Sequence, residues 1–158
     1  MPYVRTSDAG TEPVTSTELK AHLRIDHTDE DTLIGTTITA ARHMAEQYCM
    51  RSFITQTWKL YMNDWPEDSI IKLAWGKVIS IVGIDYAVSA AHDTELNSSN
   101  YFTGLETDIG LIEPNDSWPD TDTDYPNGIE IEFTAGYGAA SAVPQAIKNA
   151  ILILGADL

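Results

Sequence analysis

Apolar positions along this chain change period twice. They recur at three- and four-residue intervals through roughly the first third, alternate with polar positions through the middle, and return to helical spacing at the end. A first, short helix is predicted over residues 14–25. Thr15-Ser16-Thr17-Glu18 has capping-box spacing, and Leu19, Ala21, His22 and Leu23 give one apolar side. Thr28 is expected to cap a second helix over residues 29–49, with Asp29, Glu30 and Asp31 in its first turn, where negative charge suits the helix dipole. Ile34, Ile38, Ala41, Ala45 and Tyr48 form its stripe, over a length of about 30 Å at 1.5 Å per residue. The small residues Gly35, Thr36, Thr37, Ala40 and Ala41 leave room for another helix.

The alternating block predicts strands over residues 53–62, 70–73, 78–86, 101–103, 110–113 and 128–135. In the last of these, Ile129, Ile131 and Phe133 alternate with Glu130, Glu132 and Thr134, giving one buried and one wet face. Short connections favour antiparallel pairing. Helices grouped apart from strands indicate an α+β fold: a small helical bundle with a mainly antiparallel β-sheet insertion between the second helix and the C-terminal helix. The 158 residues read as one domain. An extended arm covers 1–14, helices 15–50, the β-rich insertion 53–135 and the final helix 143–158.

That final helix follows a sharp turn. Gly136 and Gly138 permit backbone angles closed to other residues, and Pro144 suits a first helical position. Ala146, Ile147, Ala150, Ile151, Leu152, Ile153 and Leu154 make it apolar nearly all round, unlike an amphipathic surface helix. It is too short to span a bilayer. Ile147, Ile151, Leu154 and Leu158 form one stripe, broadened by Leu152 and Ile153. The helix is therefore expected to be an assembly element with Ile151, Leu152, Ile153, Leu154 and Leu158 as interface candidates, and Gly155 is expected to loosen its last turn.

Charge narrows the range of partners. Nine Lys and Arg stand against 24 Asp and Glu, a net charge of −15, and no Lys or Arg occurs between Lys77 and Lys148. Such a surface repels nucleic acid and anionic membrane, so a protein or a cation is the expected partner. Cys49 is the only cysteine, which excludes an internal disulfide and a thiolate metal cluster within one chain. The N-terminal sequence MPYVRTSDAG has no apolar core of the kind a signal peptide needs.

Candidate chemistry is sparse. Asp120, Asp122 and Asp124 lie in a long acidic loop over 113–128 and are spaced like the first half of a calcium loop. Tyr125 stands where that motif needs Gly, and Ile131 where it needs Glu, so they read as a solvated loop first and a weak ion site second. His22 and Asp26 are four apart, but His27 points elsewhere and no third ligand is indicated by spacing. His43 reads as a helix-face residue and His92 as a loop residue. No nucleophile elbow occurs, and Gly136-Tyr137-Gly138 is not followed by the Lys of a phosphate loop. Trp58, Trp65, Trp75 and Trp118 lack interleaved basic residues, which favours core or protein-interface anchors over base stacking; Trp118 is the interface candidate among them.

Three segments together resemble a known family. They are VTSTELKAHLRIDHTDEDTLIGTTITAARHMAEQYCMRSFITQTW over 14–58, IEIEFTAGYG over 129–138 and VPQAIKNAILIL over 143–154. The combination is T-x-x-E-x-K-x-H-L-R, an acidic helix start, I-T-Q-T-W, A-G-Y-G and a Pro-started helix. It resembles the head–tail connector, or adaptor, proteins of tailed bacteriophages, prophages and gene transfer agents. Between residues 63 and 127 the likeness is one of strand type only. The resemblance implies a non-enzymatic virion protein made in the host bacterial cytoplasm, with no cofactor. It implies a homo-oligomeric ring, usually of twelve copies, under the portal. Such a ring extends the DNA channel without gripping DNA and docks the next stopper or tail-completion protein. It also implies that the C-terminal region holds the portal. The alternative is a virion-associated enzyme, such as a hydrolase, or a calcium-binding module using the acidic loop.

Overall fold

The computed structural model describes residues 3–89, 92, 94–122 and 124–158. The first two residues of the expected arm and position 123 of the acidic loop lie outside them. The chain forms two compact units. One joins Met1–Asp8 to Gln56–Gly136, the other Ala9–Thr55 to Tyr137–Leu158.

The second unit is helical, with α1 (Ser16–Leu23), α2 (Asp31–Cys49) and α3 (Gln145–Asp157). The capping box forms as expected. The Thr15 hydroxyl accepts the Glu18 N–H at 3.2 Å, and the Thr15 N–H donates to the Glu18 carboxylate at 2.6 Å. Hydrogen bonds from the Thr15 backbone N–H and from its hydroxyl keep the Glu18 carboxyl below the usual carboxylate range. Thr28 does not cap α2. Its carbonyl accepts the Asp31 N–H at 3.2 Å, closing a turn that delays the helix to Asp31, and the N-cap is Glu30 without a side-chain bond. Both α1 and α2 end on a left-handed residue, Arg24 (φ 60°) and Met50 (φ 51°). The next N–H reaches back to the last turn, Ile25 to the Lys20 carbonyl and Arg51 to that of Glu46, each at 3.0 Å.

Leu19, Ile34, Ile38, Ala41, Phe53, Ile54, Val143 and Ile151 are buried together as the core of this unit. Phe53 and Ile54 thus belong to the helical core, and the strand predicted from residue 53 begins at Gln56. Tyr48 departs from the predicted stripe: it is 91% exposed, and residues 47–50 are all exposed, so the last turn of α2 stands clear of the core. The end of α3 also differs. Gly155 is buried inside a helix that continues to Asp157, where an added Cβ would lie 3.2 Å from Leu19 Cδ2. This glycine brings α3 close to α1 and does not loosen the turn. Pro144 sits one place earlier than predicted, at the N-cap, where its carbonyl accepts the Ile147 and Lys148 N–H groups.

The first unit is β-rich: β1 (Tyr3–Ser7), β2 (Gln56–Met62), β3 (Ile71–Leu73), β4 (Val78–Tyr86), β5 (Thr94–Glu95), β6 (Tyr101–Gly104), β7 (Gly110–Pro114) and β8 (Ile129–Ala135). Five form a sheet in the order β1-β2-β8-β4-β5, three a second in the order β3-β7-β6, and every pairing is antiparallel. β8 is central because its apolar residues meet apolar partners on both sides. Ile131 pairs with Leu60 and Ile84, and Phe133 with Trp58 and Ile81. These side chains and Ile71, Leu73 and Ile112 of the smaller sheet share one core. The expected N-terminal arm is in part a strand. Tyr3 packs edge-on to Phe133, and its hydroxyl accepts the Ala74 N–H at 3.0 Å, so one aromatic anchors β1 to the sheet.

Candidate assembly surfaces

The surfaces open to a partner follow from which apolar residues the two cores leave outside. On α3, Ile151 is 1% exposed and belongs to the core, while Ile147, Leu152 and Leu154 pack partly against it. Ile153 and Leu158 are 56% and 63% exposed. The five candidates of the C-terminal helix therefore divide: Ile151 holds the unit together, Leu152 and Leu154 flank it, and Ile153 and Leu158 face outward.

Behind α2 lies a buried ionic network that the apolar pattern of the sequence does not mark. The Arg42 guanidinium, 1% exposed, donates from Nε to Glu12 Oε2 at 2.7 Å and from Nη1 to Glu46 Oε2 at 2.9 Å. Glu46 Oε1 accepts the Phe53 N–H at 2.8 Å, tying the chain after α2 to the helix. The spacing of Arg42 and Glu46, one helical turn apart, is the signal that was there to find. Opposite charges within reach satisfy one another here, which makes the burial tolerable.

The acidic loop is tied to the β-rich unit rather than left loose. Trp118 stacks on Trp65 at 4.5 Å between ring centroids, and its indole N–H donates to the Ser69 carbonyl at 3.0 Å. The Trp65 indole returns the tie to the Pro119 carbonyl at 2.9 Å. Trp58 and Trp75 form a second stack, at 4.0 Å. Within the loop, Asp122 accepts the Asp124 N–H on its own carboxylate at 3.0 Å, and its backbone N–H donates to the Ala87 carbonyl at 2.8 Å. Asp120 is exposed. Among the described residues no three of His, Cys, Asp or Glu are grouped to hold a metal ion. His22 and Asp26 do not share a helix face either, because α1 ends at Leu23.

The wet face of the larger sheet carries a charge cluster around Glu130. Burial pushes its carboxyl up, but hydrogen bonds from Lys59 and Tyr61 outweigh that and hold it below the usual range. Burial raises the neighbouring Asp85, and the nearby carboxylates of Glu130 and Glu95 raise it further. His92 Nε2 donates to the Asn127 carbonyl at 2.6 Å, and its Nδ1 lies 3.9 Å from Glu130 Oε2. No helix among the described residues is long and apolar enough to cross a membrane.

Fold comparison gives the class first. The chain superposes on a chain in the neck of an empty gene transfer agent (GTA) particle, computed with C6 symmetry. The TM-score is 0.84 at 21% identity, covering 99% of this chain and 83% of the other. A chain of the native GTA virion gives 0.82 at 20% identity, covering 99% and 83%. One in a native GTA neck computed with C12 symmetry gives 0.75 at 21%, covering 99% and 82%. The chain shares the fold of these chains. The family model described as phage gp6-like head-tail connector protein matches residues 15–110, and the chain belongs to that family. It is a structural adaptor of the virion neck. The match runs through β2 to β6, so the likeness between residues 63 and 110 is one of sequence as well as of strand type. No curated protein matches the chain at a significant level.

Proposed function

We propose that the protein assembles as a ring of twelve copies beneath the portal, extends the channel through which DNA passes, and docks the stopper or tail-completion protein. The observation that carries this reading is the head-tail connector family match over residues 15–110. The necks that hold chains of this fold were computed with C6 and C12 symmetry, which supports a cyclic arrangement. Exposed Ile153 of α3 and Leu158, just past its end, supply apolar contacts toward the neck. With −15 per copy, a ring of twelve carries about −180, and like-charge repulsion favours passage of DNA over adhesion. The role requires no catalysis and no cofactor. Particles made without this chain test it: DNA-filled heads should accumulate without tails, and the added chain should restore joining. Tailed, infectious or transfer-competent particles in its absence would refute it.

A further inference from the structure

The longest strand of the β-rich unit, β4, has one side uncovered over most of its length. β8 pairs with it from end to end, but β5 reaches only Asp85 and Tyr86, and no other strand among the described residues pairs with Val78–Gly83. An open edge presents unpaired N–H and C=O groups, and proteins usually blunt it with charge or proline. Here the stretch over 78–84 reads VISIVGI and has neither. The two register shifts of β4 against β8 make Ile79 and Val82 the inserted residues, and both are exposed, at 46% and 57%. An uncharged, β-branched run of this kind is an aggregation hazard when left open.

A second edge lies across from it. β6 ends the smaller sheet, with β7 on one side only. Between the two edges are adjoining hollows of about 460 and 320 Å³, which share Ile81, Ser98 and Tyr101. Gly110 of β7 lets the two sheets meet closely beside them, since an added Cβ would lie 2.7 Å from Val78 Cγ2. The groove is therefore preformed.

We infer that this groove receives an extended segment of a different neck protein, laid along Val78–Gly83 as an added strand, with a Lys or Arg of that segment beside Glu95. This rests on the adaptor reading given above and names one of its contacts. The edge selects the shape of the occupant. Val78–Gly83 offers about 20 Å of backbone at about 3.3 Å per residue, which an extended chain can pair with and a helix, bonded within itself, cannot. Charge selects its sign. Glu95 is the one charged residue among those lining the hollows, and no Lys or Arg occurs between Lys77 and Lys148 to balance it. Charge also argues against a second copy, which brings a net −15. None of its nine Lys and Arg lies on a free extended segment: six are in helices or paired strands, and Arg24, Arg51 and Lys77 sit at helix ends or turns held by backbone bonds.

The test uses the full chain in assembled particles. A benzophenone amino acid is placed at position 82, the particles are irradiated, and the linked products are read by mass spectrometry. The inference expects links to one contiguous segment of a different neck protein. Links to another copy of this chain overturn it. A synthetic peptide with the sequence of the linked segment is the second probe. It should bind the isolated chain, and Ile79→Lys with Val82→Lys should weaken that binding at least about tenfold. Glu95→Gln should weaken it less and reduce its dependence on salt. Both variants should melt within about 2 °C of the parent, because the changed side chains are exposed. A peptide that does not bind, or that binds the Lys variant as well as the parent, overturns the strand contact. A chain present in the neck that gives no link from position 82 overturns that contact alone. Particles whose neck lacks the chain overturn the adaptor reading itself.

Discussion

Arg42 shows how much a single residue decides in this molecule. It is the largest fully buried side chain, and its charge is balanced by Glu12 and Glu46. Arg42→Ala would remove the cation that balances the buried Glu46 carboxylate, at a cost of about 3–5 kcal/mol. Urea unfolding should read this as a large fall in midpoint, while Arg42→Met with Glu46→Gln should recover part of it. The charge cluster on the larger sheet gives a pH prediction with two signs. Glu130 has a folded pKa below its ordinary value, so its contribution is present above the ordinary carboxylate range and is lost as pH falls through the folded value. Asp85 is raised, so its charge costs stability at neutral pH. Asp85→Asn should therefore raise the melting temperature at pH 7, by on the order of 1–2 °C, and by less at pH 4. A fall at pH 7 would contradict the assignment. These effects were barely legible in the sequence, where 24 carboxylates leave no one of them marked. The helix ends were hidden for a related reason. Arg24 and Met50 take the left-handed positions where Gly or Asn is the usual signal.

Helix α3 carries the prediction at the level of elements. Ile151 and Ile153 are two residues apart, so they point to different sides, and their exposures are 1% and 56%. Ile151→Asp places a charge in the core and should prevent folding, read as lost cooperative melting and poor soluble yield. Ile153→Asp should leave a folded subunit with an ordinary circular dichroism spectrum that does not join the neck. Normal particles from Ile153→Asp would remove α3 from the assembly surface. The elements themselves were largely readable. The stretch IEIEFTA alternates, and β8 occupies the centre of the larger sheet; the changes of period between Cys49 and Gln56 and between Ala135 and Pro144 mark the two units. What periodicity missed was β1, whose five residues carry little apolar signal besides Tyr3 and Val4, and β5, which has only two residues. Gly155 misled for a different reason. A glycine near a helix end reads as a terminator, and only the packing of Leu19 shows that it is there for close approach.

The whole molecule is governed by its charge. A ring of such subunits should bind free duplex DNA weakly; filter binding at physiological salt should give no submicromolar affinity, and submicromolar binding would contradict passage without grip. The family was readable from motifs at both ends of the chain, and the match to residue 110 extends that reading into the strands. Copy number and neighbours were not readable, because they depend on surfaces that one chain leaves unpaired. The central claim is that this chain is a ring-forming adaptor between head and tail. Cryo-electron microscopy of the intact neck tests it most directly. The account predicts twelve copies of this fold in a closed ring directly below the portal, with the tail-side protein seated on its far side. Density for the chain elsewhere in the particle, or single copies without a ring, would contradict it.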